Sequence, residues 1–148
     1  MENSADDRPL LGEILLKRNL ITKDQLDEAL EIQKKDKQFV GSILVRLGYL
    51  EERDIVVALV VQFGLPYIAV NKFDIDPDVI KLIPTALARE SLLIPLDRIG
   101  EILSVVMTNP LSDEMKQKLE NLTGCKVATF ISTRSEIEEA LAKFYGKG

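Results

Sequence analysis

The sequence has no histidine and no tryptophan among its 148 residues, and it has a single cysteine, Cys125. Without histidine, the chain lacks the side chain that most often transfers protons or binds metals at neutral pH. One cysteine cannot form an internal disulfide or a cysteine-based zinc site. Aromatic residues make up 5% of the chain, which argues against a stacking platform for single-stranded nucleic acid.

Basic residues are also in deficit, because 19 lysines and arginines face 24 aspartates and glutamates, giving a formal net charge of -5. DNA and RNA binders normally carry a basic face, so we expect no nucleic-acid partner. Residues 1–9 are polar and acidic, unlike a secretory signal, and are predicted to be disordered. The longest apolar run, Ile55–Val61, is far shorter than the roughly 20 residues of a membrane span. We expect a cytoplasmic protein without direct membrane insertion.

The first half of the chain has the periodicity of helices. A first helix is predicted over Leu11–Arg18, and Asn19 is predicted to end it in the left-handed conformation. Thr22 and Gln25 have the spacing of a capping box, which predicts the start of a second helix. Residues 34–38 are predicted to form a charged connector.

The pattern then repeats at a fixed offset of 29 residues. The nine matching pairs are Gly12 and Gly41, Leu15 and Leu44, Leu16 and Val45, Asn19 and Gly48, Ile21 and Leu50, Leu26 and Ile55, Ala29 and Ala58, Leu30 and Leu59, and Gln33 and Gln62. This regularity indicates two copies of a helix-turn-helix unit, neither of which can bury its apolar face alone. We expect the copies to pack on each other as about four helices.

The second half changes to short helices and strands. Pro66–Val70 is predicted to be extended, Pro84 is predicted to interrupt a short helix, and Asp97–Gly100 has the composition of a hairpin turn. Helix caps are predicted at Asp76, Ser112 and Thr133, and strands at Leu92–Leu96, Ile102–Met107 and Lys126–Ile131. A helix between the second and third strands predicts that they are parallel, with a right-handed connection.

The predicted fold class is therefore α+β. A duplicated helix-turn-helix bundle over residues 10–65 is followed by a small three-stranded sheet covered by helices over residues 66–146. The two halves are expected to be separate subdomains.

The sequence predicts no enzyme. It has no G-x-x-x-x-G-K-[ST] phosphate loop. The carboxylates Asp97, Asp113 and Glu114 lie beside predicted turns or helix starts, where acidic residues are ordinary. Cys125 has no histidine to activate it and is expected to be a small buried residue.

The repeated glutamines Gln33 and Gln62 each close an apolar helical face. An amide both donates and accepts hydrogen bonds, so the pair can read the edge of a flat heterocycle while the repeated leucines cover its faces. The alternative interpretation is that each glutamine caps its helix and the leucines form the core.

These repeats resemble the N-terminal domain of type II secretion and type IV pilus assembly ATPases, over about residues 10–146. In the first repeat the matching residues are Leu11-Gly12, Leu15-Leu16, Asn19, Leu26, Ala29-Leu30 and Gln33, and in the second they are Val40-Gly41, Leu44-Val45, Gly48, Ile55, Ala58-Leu59 and Gln62. The second half matches at Pro84, Ala88-Arg89, Ile94-Pro95-Leu96, Val105–Pro110 and Thr123-Gly124. The ATPase core of full-length members does not follow in these residues, so we expect a standalone relative or a separated domain.

The resemblance implies two functions. Some members dock on the cytoplasmic region of an inner-membrane assembly protein and couple it to the ATPase motor, and this is the predicted function. Other members bind cyclic di-GMP through the repeats, typically with an arginine before each Leu-Gly; this chain has Leu10 and Phe39 there, with Arg8, Lys35 and Lys37 nearby. No cofactor is expected, cyclic di-GMP is the alternative ligand, and the candidate ligand-binding residues are Leu11, Gly12, Leu15, Leu26, Leu30, Gln33, Gly41, Leu44, Ile55, Leu59 and Gln62.

Overall fold

The computed structural model describes residues 11–36 and 38–146. The expectations for residues 1–9, Leu10 and Lys37 lie outside these ranges. The chain divides into two compact units, Met1–Gly64 and Leu65–Gly148. Across the described ranges, none of the helices has the length and apolar character needed to cross a membrane.

The first unit, here called the helical unit, contains two helix pairs. Its helices are α1 (Leu11–Lys17), α2 (Lys23–Asp36), α3 (Val40–Arg46) and α4 (Glu52–Phe63). Helix α1 contacts α4, and α2 contacts α3, so each repeat packs against the other. The buried core is formed by Ile14, Leu15, Ile21, Leu26, Ala29, Ile43, Leu44, Leu50 and Ala58. The predicted four-helix arrangement is confirmed.

The turn that ends the first helix of each repeat has the same hydrogen bonds in both copies. The backbone N–H of Leu20 donates to the Leu15 carbonyl, and the N–H of Tyr49 donates to the Leu44 carbonyl, both at 3.0 Å. The residue before each donor is left-handed; Asn19, the residue predicted to end the first helix, has a φ of 59°. These bonds form the Schellman motif, which satisfies the last carbonyls of a helix.

The second helix of each repeat begins with a capping box. The predicted pair is confirmed, because the N–H of Gln25 donates to Thr22 Oγ1 and the N–H of Thr22 donates to Gln25 Oε1. Glu51 and Asp54 form the same reciprocal arrangement at the start of α4. The sequence interpretation missed this second box, because two carboxylates replace the threonine and the glutamine.

The predicted charged connector was wrong in extent, because α2 continues through Asp36. Lys34 and Lys35 belong to its last turn, where positive charge is favourable beside the exposed carbonyls of a helix end. Lys34 also pairs with Glu31, at an Nζ–Oε2 distance of 3.1 Å.

The second unit, here called the α/β unit, contains a three-stranded sheet and four helices. The elements are a 3-10 turn (Val70–Lys72), α5 (Pro77–Ile80), α6 (Thr85–Ser91), β1 (Leu93–Ile99), β2 (Ile102–Met107), α7 (Asp113–Thr123), β3 (Lys126–Ile131) and α8 (Arg134–Tyr145). The strand order is β1-β2-β3, with β1 antiparallel and β3 parallel to β2. Helix α8 contacts β1 and β2, and α7 contacts β3. The α+β class and the parallel pair are confirmed.

The helix caps of the α/β unit are those expected from the sequence. The side chains of Asp76, Ser112 and Thr133 each accept a hydrogen bond from a backbone N–H in the first turn of the helix that follows. Tyr67 bridges to Ile131 in a parallel arrangement, which confirms part of the predicted extended segment.

The predicted hairpin turn at Asp97–Gly100 was wrong. Residues Asp97–Ile99 continue β1 and pair with Ser104, Leu103 and Ile102 of β2. The connection is the two-residue turn Gly100-Glu101, in which Gly100 has a φ of 61°. The register between β1 and β2 is irregular between Pro95 and Asp97. After this irregularity β1 continues through Asp97 and Arg98, the polar residues whose composition had predicted a turn.

We predict that Gly41→Val destabilises the helical unit by about 2 kcal/mol. A Cβ at residue 41 would lie 2.9 Å from Ile55 Cδ1 and 3.0 Å from Leu11 Cδ2. Urea unfolding followed by circular dichroism measures the change. Ser42→Val is the matched control in the same helix, and an equal loss in both variants would contradict steric crowding at Gly41.

Candidate binding surface of the tandem repeats

Most of the leucines that were predicted to cover a ligand are inside the protein. Leu15, Leu44 and Leu59 are fully buried, and Leu26 is nearly so. Leu11, Leu30 and Ile55 are half-buried and pack against the core of the helical unit. Leu15, Leu26, Leu44 and Leu59 therefore form packing contacts, whereas Leu11, Leu30 and Ile55 keep part of their side chains at the surface.

The two repeated glycines allow a close contact between helices. A Cβ at Gly12 would lie 2.8 Å from Leu26 Cδ1, and one at Gly41 would lie 2.9 Å from Ile55 Cδ1. Leu26 and Ile55 are themselves a repeat pair, so the same contact occurs in both copies. The glycine positions are thus explained by packing within each repeat.

The side chain of Gln33 forms a hydrogen bond with the segment that connects the two repeats. Its Nε2 donates to the backbone carbonyl of Gln38 at 2.9 Å, five residues along the chain. This carbonyl belongs to the residue before Phe39, the N-cap of α3. One of the two N–H donors of the amide is therefore used inside the protein, although not to cap the end of its own helix.

Gln62 has a different environment from its repeat partner. It is exposed in the last turn of α4 and forms no hydrogen bond with another residue in the part of the chain that the structure describes. Its amide is free to donate to and accept from a ligand. The two glutamines are therefore equivalent in the repeat but differ in structure: Gln33 is half-buried and hydrogen-bonded, whereas Gln62 is exposed.

Phe39 is 37% exposed at the start of α3. A guanidinium does lie close to this connection, and the sequence interpretation missed it. Arg46, in the last turn of α3, donates to Asp36 Oδ2 and to Gln38 Oε1, each at 3.3 Å. Its charge is therefore partly compensated by Asp36. No motif spacing predicts this pair, because it depends on the return of α3 beside the end of α2.

Helix α4 also carries exposed apolar residues of the helical unit. Val57 is 49% exposed and Val61 is 60% exposed. The two residues are four apart in a helix, so their side chains are neighbours on one face. The sequence interpretation used this apolar run only to exclude a membrane span.

The remaining candidate groups for chemistry differ in exposure. Asp97, Asp113 and Glu114 are exposed, whereas Cys125 is buried. Within residues 11–36 and 38–146, no group of three carboxylate or cysteine side chains is placed to hold a metal ion. A hydrogen bond to Glu136 raises the pKa of Tyr67 to about 12, so this phenol loses its proton only at a higher pH than an ordinary tyrosine does.

Known proteins with similar sequences include type IV pilus assembly ATPases and a type II secretion system protein. The model of the MshEN domain matches residues 63–148. Over 137 residues the chain is 36% identical to the type IV pilus assembly ATPase PilB of Myxococcus xanthus, covering 93% of this chain. The same alignment covers 24% of PilB, so the chain spans about a quarter of the length of this relative.

Two solved structures share the fold. A structure of MshE with cdg superposes with a TM-score of 0.72 and 26% identity, covering 93% of this chain and 100% of that one. The N-terminal domain of XpsE superposes with a TM-score of 0.75 and 21% identity, covering 99% of each chain. The second comparison supports the same α+β fold.

We predict that Gln33→Ala lowers the free energy of unfolding by about 1 kcal/mol, because the Gln38 carbonyl loses its donor. Gln62→Ala should change it by less than about 0.5 kcal/mol, as expected for an exposed side chain. Urea unfolding of the two variants compares them directly. Equal effects would show that the hydrogen bond of Gln33 does not stabilise the connection.

Proposed function

The chain belongs to the MshEN domain family, the N-terminal domains of type II secretion and type IV pilus assembly ATPases, and on this premise we propose that it is a non-catalytic docking module. Its partner in this proposal is the cytoplasmic region of an inner-membrane assembly protein. The module would connect that protein to the ATPase motor.

The exposed valines of α4 are the observation that supports this proposal. The side chains with the strongest repeat signature are used for internal packing, whereas Val57 and Val61 place aliphatic groups in water. An apolar helix face that is exposed in the single chain favours a protein partner that removes it from water.

We predict that the chain binds the purified cytoplasmic region of the inner-membrane assembly protein from its own organism. Isothermal titration calorimetry should give a one-to-one complex with a Kd of about 1 μM, which is typical of transient interfaces. The periplasmic region of the same assembly protein is the control. Binding of both regions alike, or of neither, would reject the docking function.

Cyclic di-GMP binding is the second candidate function. MshE, which was solved with cdg (cyclic di-GMP), resembles this chain over the whole of its own length. The exposed amide of Gln62 supports this candidate, because it offers a donor and an acceptor for the edge of a guanine. The arginines expected before each Leu-Gly are replaced by Leu10 and Phe39, so a site here needs another source of positive charge.

If cyclic di-GMP binds through the repeats, Gln62→Ala should weaken it about tenfold, the equivalent of one hydrogen bond to the base. Calorimetric titration of the chain with cyclic di-GMP measures the Kd. Gln117→Ala, an exposed glutamine on α7, is the control and should leave the Kd unchanged. An absence of heat at high micromolar ligand rejects the second candidate, as does an equal loss in the control.

A further inference from the structure

The two edge strands of the sheet, β1 and β3, are protected in different ways. The edge of a sheet presents N–H and carbonyl groups that can pair with a strand of another molecule. At the β1 edge the protection belongs to the strand itself, because Pro95 has no N–H to donate and the register is irregular between Pro95 and Asp97. Strand β3 contains no proline, and its register with β2 is regular.

Groups from outside the strand cover the free edge of β3 instead. The N–H groups of a strand point alternately to its two sides, and those of Val127 and Ile131 point away from β2. The N–H of Val127 donates to Glu120 Oε2 of α7 at 3.0 Å, and the N–H of Ile131 donates to the Pro66 carbonyl at 2.8 Å. By the same alternation the N–H of Thr129 points away from β2, and it has no hydrogen-bond partner among the residues that the structure describes.

Residues 66–70, here called the edge segment, are attached to the end of β3 by four hydrogen bonds. Two of them join the backbone of the segment to the N–H and the carbonyl of Ile131. The other two are made by the buried hydroxyl of Ser132, which donates to the Ile68 carbonyl and accepts from the Val70 N–H at 3.2 Å. Half of the attachment therefore depends on one side chain.

The strand beneath this cover has the composition of a segment that pairs with itself. Residues Val127–Ile131 are uncharged and include β-branched and aromatic side chains, without proline or glycine. Lys126 is the one charged residue of β3. In an antiparallel pairing of two copies centred on Thr129, each Lys126 lies opposite Ser132 of the other copy, so the lysines do not face each other.

We infer that the edge segment and the Glu120 carboxylate form a removable guard, and that its release lets β3 pair with β3 of a second copy of this chain. Two identical strand edges pair antiparallel with two-fold symmetry. In this register Thr129 pairs with itself and Val127 pairs with Ile131, so the N–H groups that point away from β2 all gain partners. The guard of β3 is removable because it is held by hydrogen bonds, whereas the proline and the irregular register of β1 are not.

Glu120→Ala with Ser132→Ala tests the guard, because it removes three of its hydrogen bonds without changing a residue of β3. Sedimentation velocity should show that the double variant dimerises at least about tenfold more tightly than the unmodified chain. Hydrogen exchange at the Val70 amide should become faster, since its acceptor is lost. A variant that is folded and does not self-associate more tightly overturns the inference, and so does unchanged exchange at Val70.

Thr129→Pro separates edge pairing from a general loss of stability. It removes the N–H at the centre of the expected pairing, whereas the N–H groups that face β2 belong to its neighbours Ala128 and Phe130. Added to the double variant, the proline should restore the self-association of the unmodified chain. Thr129→Lys serves the same purpose if the proline variant fails to fold, because the two lysines would lie opposite each other. Dimerisation that persists in the folded triple variant overturns the inference.

Tyr145→Phe is the matched control for lost hydrogen bonding in the same unit. The Tyr145 hydroxyl donates to the carbonyls of Ile80 and Ile83, both at 3.0 Å, at the end of α5. This variant removes hydrogen bonds from the α/β unit but leaves the guard of β3 in place, so self-association should be unchanged. If it dimerises as tightly as the double variant, destabilisation alone causes the association and the inference is rejected.

Discussion

The helical unit depends on a close approach of helices at two glycines. At Gly12 and Gly41 the backbone is so near the side chain of the following helix that a Cβ would overlap with Leu26 or Ile55. In each repeat a Schellman turn joins the first helix to the second. Its hydrogen bond, from the N–H of Leu20 in the first repeat and of Tyr49 in the second, fixes the direction in which the second helix leaves. The glycine, the turn and the facing residue occur together in both repeats.

This constraint explains which features could be predicted from the sequence. The left-handed Asn19 and the caps at Ser112 and Thr133 depend on residues within a few positions of each other, and they were predicted correctly. The end of α2 was not, because the helix continues through Asp36 into the predicted connector. The turn at Asp97–Gly100 was predicted wrongly, because pairing with β2 decides where β1 ends. The composition of residues 97–100 alone does not indicate that they pair with β2, because this pairing follows an irregularity in register.

The candidate site shows the same division between local and tertiary information. The spacing identified Gln33 and Gln62 as a pair, but it could not show that Gln33 donates to the Gln38 carbonyl while Gln62 stays exposed. The pairing of Arg46 with Asp36 depends likewise on how α3 follows α2. The repeat alignment does reveal one difference at the surface, because it pairs Val57 with Glu28, an aliphatic residue with a charged one, and both are exposed.

The duplication distinguishes the residues needed for packing in the helical unit from those at its surface. Positions that must match for the helices to pack, such as Gly12 with Gly41 and Leu15 with Leu44, are the ones kept in both copies, and all four are buried. Exposed positions carry no such requirement, so Glu28 and Val57 are free to differ. Binding specificity in a duplicated module is therefore expected where the copies disagree. Glu28 and Glu31 of α2 correspond to Val57 and Val60 of α4, so the outer faces of the two second helices differ in chemistry although the buried positions match.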